Sequence, residues 1–135
     1  MNGVKKYLYQ MWLAFRFRNP RLFFWCDIHP HAVIPRSTRF CHGGMGVIIG
    51  KNTVLGENVT IHPNVTFGAR TPHNGHPINH VRVGNHVCIY TGATILGDIS
   101  IGDHAVVAAH SLVLRDVPDY GYVRGVPGRV VMIDE

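Results

Sequence analysis

The stretch GVIIGKNTVLGENVTIHPNVTFG, residues 46–68, places a large apolar side chain at every sixth position. Ile49, Leu55, Ile61 and Phe67 set this spacing, and glycine follows three of them directly. A period of six fits neither an α-helix, at 3.6 residues per turn, nor a free strand, at two. It is typical of short strands joined by tight corners, where glycine relieves backbone strain.

The same period extends over most of the chain. It is kept by Ile28, Ile34 and Phe40 before this stretch and by Val83, Ile89, Ile95, Ile101, Val107 and Val113 after it. The positions four residues later are small or branched: Ala32, Thr38, Thr53, Val59, Val65, Ala93, Ala105 and Ser111. Repeats of this kind predict a β-helical solenoid in which each coil buries its apolar row on the next. A β-sandwich with accidental spacing is the alternative fold.

The period is interrupted at two places, and both are rich in histidine. The first, between Phe40 and Ile49, contains Cys41 and His42 among glycines. The second, ARTPHNGHPINHVR at residues 69–82, contains prolines, asparagine and glycine, which form turns. We expect this second segment to leave the solenoid as a loop carrying His73, His76 and His80. Loops held by a rigid scaffold commonly carry function.

Residues 1–25 differ from residues 26–135 and are predicted to form a separate helical segment before the solenoid. Val4, Leu8, Met11, Trp12 and Phe15 recur at helical spacing, and Asn19-Pro20 supplies a stop. The same stretch carries Lys5, Lys6, Arg16 and Arg18. Two interpretations remain open: a helix packed on its own domain or a partner subunit, or a basic amphipathic helix on a membrane surface. Neither a transmembrane span nor a signal peptide is predicted.

Composition narrows the classes of function. The chain has 135 residues, enough for one domain, and a formal charge of +5, which suits an anionic ligand. No long basic run or stacking motif indicates nucleic acid. Three cysteines without a paired spacing indicate neither a disulfide framework nor a zinc knuckle, so we expect a reducing, cytoplasmic environment.

Four motifs carry a resemblance to a known family: DIHPHAVI from Asp27, His42 fifteen residues later, VTFG before the loop, and GVPGRVV near the end. With them the sequence resembles the hexapeptide-repeat acyltransferases, and within these the serine acetyltransferases and related sugar O-acetyltransferases. The resemblance implies an all-β left-handed parallel β-helix. It also implies a homotrimer that binds acetyl-CoA in the groove between subunits.

The resemblance further implies roles for individual residues. His42 would be the general base and Asp27 would orient it; in a triangular coil, positions fifteen apart lie almost one turn apart and can approach each other. A hydroxyl acceptor would then attack the thioester without a covalent enzyme intermediate. The histidine that holds the acceptor is His80 by register or His76 by its His-Pro dipeptide. The implied acetyl-CoA contacts are Gly92, Ala93, Ala109, Arg124, Gly125 and Arg129.

The acceptor site departs from the pattern of serine acetyltransferases. Those enzymes carry an aspartate before the catalytic histidine and an arginine before the loop histidine, where this chain has Cys41 and Asn79, or Gly75 in the other alignment. We therefore predict a neutral hydroxyl acceptor, a sugar of a surface polysaccharide or its lipid-linked precursor, used at the inner face of the membrane. Serine is the alternative acceptor, with no metal expected in either case.

Two further alternatives belong to other classes of function. A γ-type carbonic anhydrase would hold zinc with three imidazoles, and His42, His76 and His80 are the candidate set. A non-catalytic trimeric scaffold would need neither Asp27 nor His42.

Overall fold

The computed structural model describes residues 2–16, 25–71 and 74–132. Helix α1 (Gly3–Arg16) comes first, and short strands make up most of the remainder. The strands are β1 (Asp27–Ile28), β2 (Arg39–Phe40), β3 (Ile48–Ile49), β4 (Val54–Leu55), β5 (Thr60–Ile61), β6 (Thr66–Gly68), β7 (His80–Val83), β8 (Cys88–Ile89), β9 (Thr94–Leu96), β10 (Asp98–Ile101), β11 (Val106–Val107), β12 (Leu112–Val113), β13 (Gly121–Arg124) and β14 (Arg129–Met132).

The strands form three sheets that the chain visits in turn. The first sheet has the order β1-β3-β6-β9-β12, the second β10-β7-β4, and the third β14-β13-β11-β8-β5-β2. All pairs are parallel except β13 with β14, which form an antiparallel hairpin at the end of the chain. The predicted parallel β-solenoid is therefore confirmed, with each coil contributing one side to each sheet.

The core consists of the residues that the six-residue period selected. Ile49, Ile61, Phe67, Ile89 and Ile95 are at most 1% exposed. The small or branched residues four positions later, including Thr53 and Ser111, are buried as well. Two members of the predicted rows, Ala32 and Phe40, are only half-buried. The prediction of an inward apolar row is confirmed, because the solenoid has room for one large and one small residue per side.

Both predicted interruptions lengthen a coil without disturbing its neighbours. Asp27 pairs with Ile48, and Ile48 pairs with Thr66, so the first coil is three residues longer than the second. Thr66 pairs with Thr94, which makes the third coil ten residues longer than the second. The extra residues form the predicted loop, and reciprocal backbone hydrogen bonds between Arg70 and Ile78 close its neck.

The repeated glycines serve a different purpose from the one predicted. Gly56, Gly84 and Gly102 form one column where the chain leaves the second sheet, and none has a positive φ. A Cβ on Gly84 would lie 2.4 Å from the Asp103 Oδ1 atom of the next coil, and a Cβ on Gly102 would lie 2.4 Å from Asp119 Oδ1. These glycines are needed for space rather than for backbone strain.

The space is filled by a ladder of side-chain acceptors between coils. Asn85 Oδ1 accepts from the Glu57 backbone N–H at 2.8 Å, Asp103 Oδ1 from Asn85 at 2.7 Å, and Asp119 Oδ1 from Asp103 at 2.8 Å. Each bond satisfies a corner N–H that would otherwise lack a partner in the coil. The left-handed residues of the corners are instead Asn52, Asn58, Asn64, His86, His104, His110 and Tyr120.

Helix α1 packs on the first coil through a face that was not predicted. Leu13 is 1% exposed and joins the core, and Gln10 is buried and donates to the Cys26 carbonyl at 3.2 Å. Arg16 donates to the Ile34 carbonyl at 2.7 Å. The helix therefore covers the open end of the solenoid. Asn19-Pro20 and Arg18 lie outside the described residues.

The predicted apolar stripe of α1 faces away from the domain except at Trp12, whose ring stacks on Tyr9 and lies under the Arg16 guanidinium. Val4, Leu8, Met11, Trp12 and Phe15 are all exposed, Phe15 by 84%. Residue 13 is about half a turn from this stripe. Within the described ranges, no helix is long and apolar enough to cross a membrane.

The two faces of α1 can be compared by substitution. Leu13→Ala should lower the free energy of unfolding by about 2–5 kcal/mol, because it leaves a cavity between the helix and the first coil. Leu8→Ala, on the exposed face, should change it by less than about 0.5 kcal/mol. Urea denaturation at a fixed protein concentration measures both. An equal or greater loss for Leu8→Ala would mean that the stripe, not Leu13, packs on the solenoid.

The glycine column makes a second prediction. In Gly84→Ala the new methyl group would lie 2.9 Å from the Asp103 backbone nitrogen and would displace the Asp103 side chain from its bond to Asn85. We expect a loss of about 1–3 kcal/mol in the free energy of unfolding. Gly3→Ala, where no atom lies within 4 Å, is the matched control. Wild-type stability of Gly84→Ala would show that the corner can expand.

Candidate active site

One edge of the solenoid gathers most of the predicted site residues. It consists of the corners that lead from the third sheet into the first, at residues 41–46, 62–64, 90–92 and 108–110, together with residues 124–125, where the turn between β13 and β14 begins. We call it the His42 edge. The register places Phe40 beside Ile61, Ile61 beside Ile89 and Val107 beside Val123. The residue that directly follows each of these positions therefore stacks in one column: Cys41, His62, Tyr90, Ala108 and Arg124. Five coils spaced by about 4.8 Å give an edge roughly 19 Å long.

His42 occupies the enlarged first corner of this edge. It lies in a short 3-10 turn, Cys41–Gly44, and has a left-handed backbone with φ 51°. Gly43, Gly44 and Gly46 also have positive φ, near 70°. A run of left-handed residues needs glycine, because a Cβ is costly there. The glycines thus let the chain bulge at this corner, and the His42 side chain is exposed.

Asp27 lies at the same end of the first sheet as His42. It is the first residue of β1 and pairs with Ile48, which follows the His42 corner. Its Oδ1 atom is 3.5 Å from Lys6 Nζ of α1. Among the described residues, Asp27 and His42 share neither a hydrogen bond nor an ion pair. The fold brings the two residues to one edge but leaves the Asp27 carboxylate on Lys6.

The predicted acetyl-CoA residues lie along the His42 edge in the coils that follow His42 in the chain. Gly92 and Ala109 lie in successive corners, followed by Arg124 and Gly125 at the end of β13, and Ala109, Arg124 and Gly125 are exposed. Gly92 has φ 71°, and a Cβ there would lie 2.3 Å from His110 Nδ1. The glycine therefore makes room for the His110 ring of the next coil. Arg129 lies opposite Arg124 in the terminal hairpin.

Ala93 lies on the inner side of its corner. It is fully buried, because it follows the corner at the position of the small inward residue. Its side chain faces the core, so a contact with acetyl-CoA would be made by the backbone and stays a prediction.

Two residues of the His42 edge were missed by the sequence analysis. His62 stacks on Tyr90 with ring centroids 4.7 Å apart, and His62 Nδ1 is 3.0 Å from the Ile89 carbonyl oxygen. A carbonyl only accepts, so Nδ1 carries the proton and Nε2 is left as an acceptor. The hydrogen bond to Cys88 raises the pKa of Tyr90. The signal was available, because both residues directly follow a periodic isoleucine.

The loop histidines lie at another edge. His80 begins β7, and its Nδ1 atom is 4.0 Å from Asp98 Oδ1, which is also 2.9 Å from Arg82 Nη2. His76 is exposed near the loop turn, where its backbone N–H donates to Asn74 Oδ1 at 3.3 Å. This edge joins the first sheet to the second, so the first sheet separates both residues from His42. His73 lies outside the described residues.

Cys41 and Asn79, the two residues at which the acceptor site departs from the serine acetyltransferase pattern, lie in different environments. Cys41 is half-buried between β2 and His42. Asn79 is half-buried against Gly50, where a Cβ would lie 2.4 Å from Asn79 Nδ2. The buried Asn79 Oδ1 atom has no hydrogen-bond partner in the described structure.

The zinc alternative does not assemble within one chain. Across residues 2–16, 25–71 and 74–132, no three His, Cys, Asp or Glu side chains come together as metal ligands. His42 is separated from His76 and His80 by the first sheet.

All three cysteines are free thiols. Burial, with a smaller contribution from Asp27, raises the pKa of Cys26 to about 11.

Comparison with known proteins places the chain among transferases. Residues 80–115 match the family model described as bacterial transferase hexapeptide (six repeats). Serine acetyltransferase of Bacillus subtilis strain 168 is 42% identical over 112 residues, which are 83% of this chain and 50% of that protein. The chain thus spans about half the length of the curated relatives it matches. These names favour the serine alternative over the predicted polysaccharide acceptor.

Solved structures agree with the sequence matches. Serine acetyltransferase of Neisseria gonorrhoeae in complex with serine has a TM-score of 0.74 and 34% identity, over 96% of this chain and 49% of that one. A serine acetyltransferase in complex with CoA has a TM-score of 0.69 and 38% identity, over 78% and 41% of the two chains. The chain belongs to the hexapeptide-repeat acyltransferases, and within this family it is serine acetyltransferase-like.

Proposed function

We propose that this chain is an acetyl-CoA-dependent O-acetyltransferase whose acceptor is the hydroxyl of serine. The observation that carries the proposal is the His42 edge, which combines an exposed imidazole with a column of small corner residues in a serine acetyltransferase-like fold. Relatives named serine acetyltransferase at about 40% identity support the acceptor. A solved relative holding CoA supports the donor.

The chemistry that His42 would perform is general-base catalysis. Its unprotonated ring nitrogen takes the proton of the serine hydroxyl while the oxygen attacks the thioester carbonyl carbon. The tetrahedral intermediate collapses, the carbon–sulfur bond breaks, and the CoA thiolate takes the proton from His42. No group of the protein becomes acetylated. Acetyl-CoA would lie along the His42 edge, and Arg124 and Arg129 would meet its phosphates.

Asp27 has the chemistry of an orienting carboxylate. A hydrogen bond from His42 to Asp27 would hold the tautomer and stabilise the imidazolium. For this the Asp27 side chain must turn from Lys6, an exposed ion pair of the kind that contributes little. We infer that substrate binding favours this rotation.

We also infer a homotrimer of left-handed β-helices, as the family resemblance implies. The separation of His42 from His80 and Asn79 by the first sheet supports it, because a neighbouring copy can bring its loop to the His42 edge. The three free thiols suit the reducing compartment in which we place the reaction.

A second candidate acceptor is a sugar hydroxyl. The specific observation in its favour is that Cys41 and Asn79 stand where serine acetyltransferases carry an aspartate and an arginine. A zwitterion would lack both charge partners at these positions, whereas a neutral sugar needs neither.

The general-base role can be tested with variants that keep the corner intact. His42→Asn preserves the left-handed backbone, because asparagine tolerates positive φ. We expect it to lower kcat for acetyl transfer by about 10²–10⁴-fold. His86→Asn makes the same change at a left-handed corner of another edge and should leave kcat unchanged. Release of free thiol from acetyl-CoA measures both, and an active His42→Asn enzyme would refute the proposal.

The acceptor can be assigned by comparing serine with hexoses and nucleotide sugars. If serine is the acceptor, Cys41→Asp with Asn79→Arg should lower KM for serine by at least about tenfold, because each adds a charged hydrogen-bond partner. KM for acetyl-CoA should not change. Turnover of a sugar but not of serine by the wild-type enzyme would establish the second candidate instead.

A further inference from the structure

The exposed face of α1 is a surface built for contact. Val4, Leu8, Met11, Trp12 and Phe15 follow the spacing of one helical face, and each is 48–84% exposed. Leu13 and Gln10 hold the opposite side against the first coil. The helix therefore presents apolar side chains in two directions, and only one direction is explained by its own domain. A continuous apolar patch of this kind marks an interaction surface.

The charges of α1 indicate which partner the surface fits. The helix has Lys5, Lys6 and Arg16 and no acidic residue, and its N-terminal end carries the positive pole of the helix dipole. Lys6 lies near Asp27 and Arg16 binds the Ile34 carbonyl, so both are held at the side of the helix that faces the domain. Lys5 is exposed and flanks the stripe. The surface is therefore apolar at its centre, with the single positive charge of Lys5 at its margin and no carboxylate on the helix.

A second copy of the same helix is a poor match for this pattern. Two α1 helices packed stripe to stripe would bring their two Lys5 side chains to one interface, and neither helix has a carboxylate to pair with them. A bilayer with anionic headgroups supplies both an apolar interior and the opposite charge. Trp12 suits the boundary between the two, because its ring is apolar while its indole N–H needs a polar partner.

We propose that α1 lies in the plane of an anionic membrane surface, with Val4, Leu8, Met11 and Phe15 among the acyl chains, Trp12 at the boundary beside Arg16, and Lys5 at the headgroups. Peripheral helices of this type enter to a depth of about 5–10 Å. Because α1 is tied to the first coil by Leu13, Gln10 and Arg16, the solenoid would stand on the membrane by its N-terminal end. The His42 corner, between the first and second coils, would then open close to the lipid surface.

This inference does not depend on the acetyl acceptor. If the acceptor is serine, the membrane only sets where the enzyme works. If the acceptor is a sugar, the orientation would bring the His42 edge to a lipid-linked substrate.

The test is co-sedimentation of the full chain with vesicles. Wild-type protein should bind vesicles of phosphatidylcholine and phosphatidylglycerol, and at least about tenfold more weakly when phosphatidylcholine is used alone or salt is raised. Phe15→Glu should weaken binding by about tenfold or more, because an inserted ring is replaced by a charge. Val126→Ser, which alters an exposed apolar residue beside the terminal hairpin, should bind like wild type.

The emission of Trp12 gives a second readout. In a Trp25→Phe background it should shift to shorter wavelength on addition of the anionic vesicles and not of the neutral ones. Wild-type protein that stays in the supernatant, or Phe15→Glu that binds equally, would overturn the proposal. A change of oligomeric state in Phe15→Glu, seen by light scattering without vesicles, would instead identify the stripe as a contact between copies.

Discussion

Every part of this molecule depends on the register of one coil upon the next. The strands are two to four residues long and have no partner within their own coil, so their backbone groups must bond to the coils above and below. A shift of one residue would turn the inward row to solvent and would bury polar corners. Ile49 on Phe67, and Phe67 on Ile95, show how the inward side chains hold this register. The Asn85, Asp103 and Asp119 ladder holds it at a corner.

A rigid stack of this kind tolerates insertions only at its corners. Three extra residues at the His42 corner and ten in the loop leave the pairing of the flanking strands intact. Both irregular segments can therefore carry polar and strained residues, such as left-handed His42, at no cost to the core. The His42 edge combines one such corner with the regular corners below it. The candidate site thus consists of one irregular corner, which carries His42, and a regular column of corners beside it.

Helix α1 shows why a stripe in sequence does not identify the face that packs. Four of the five apolar residues at helical spacing point to solvent and Trp12 packs on Tyr9, while one leucine and a glutamine cover the end of the solenoid. The end of a β-helix exposes unpaired backbone as well as apolar side chains. The Gln10 side chain, which donates to the Cys26 carbonyl, and the Arg16 guanidinium, which donates to Ile34, meet that need better than another leucine would.

The sequence alone determined the repeat, the two interruptions, the loop and the small-residue corners, because a six-residue period in the side chains is the same period in the fold. The family resemblance named His42, Gly92, Ala109 and Gly125, and the fold places them along one edge. Tertiary structure decided the features that residue spacing along the chain does not determine. It put Asp27 on Lys6, turned Ala93 inward, stacked His62 on Tyr90, and placed His80 across the first sheet from His42. These outcomes depend on contacts between residues in different coils or elements, and such contacts are set by packing distances rather than by spacing along the chain.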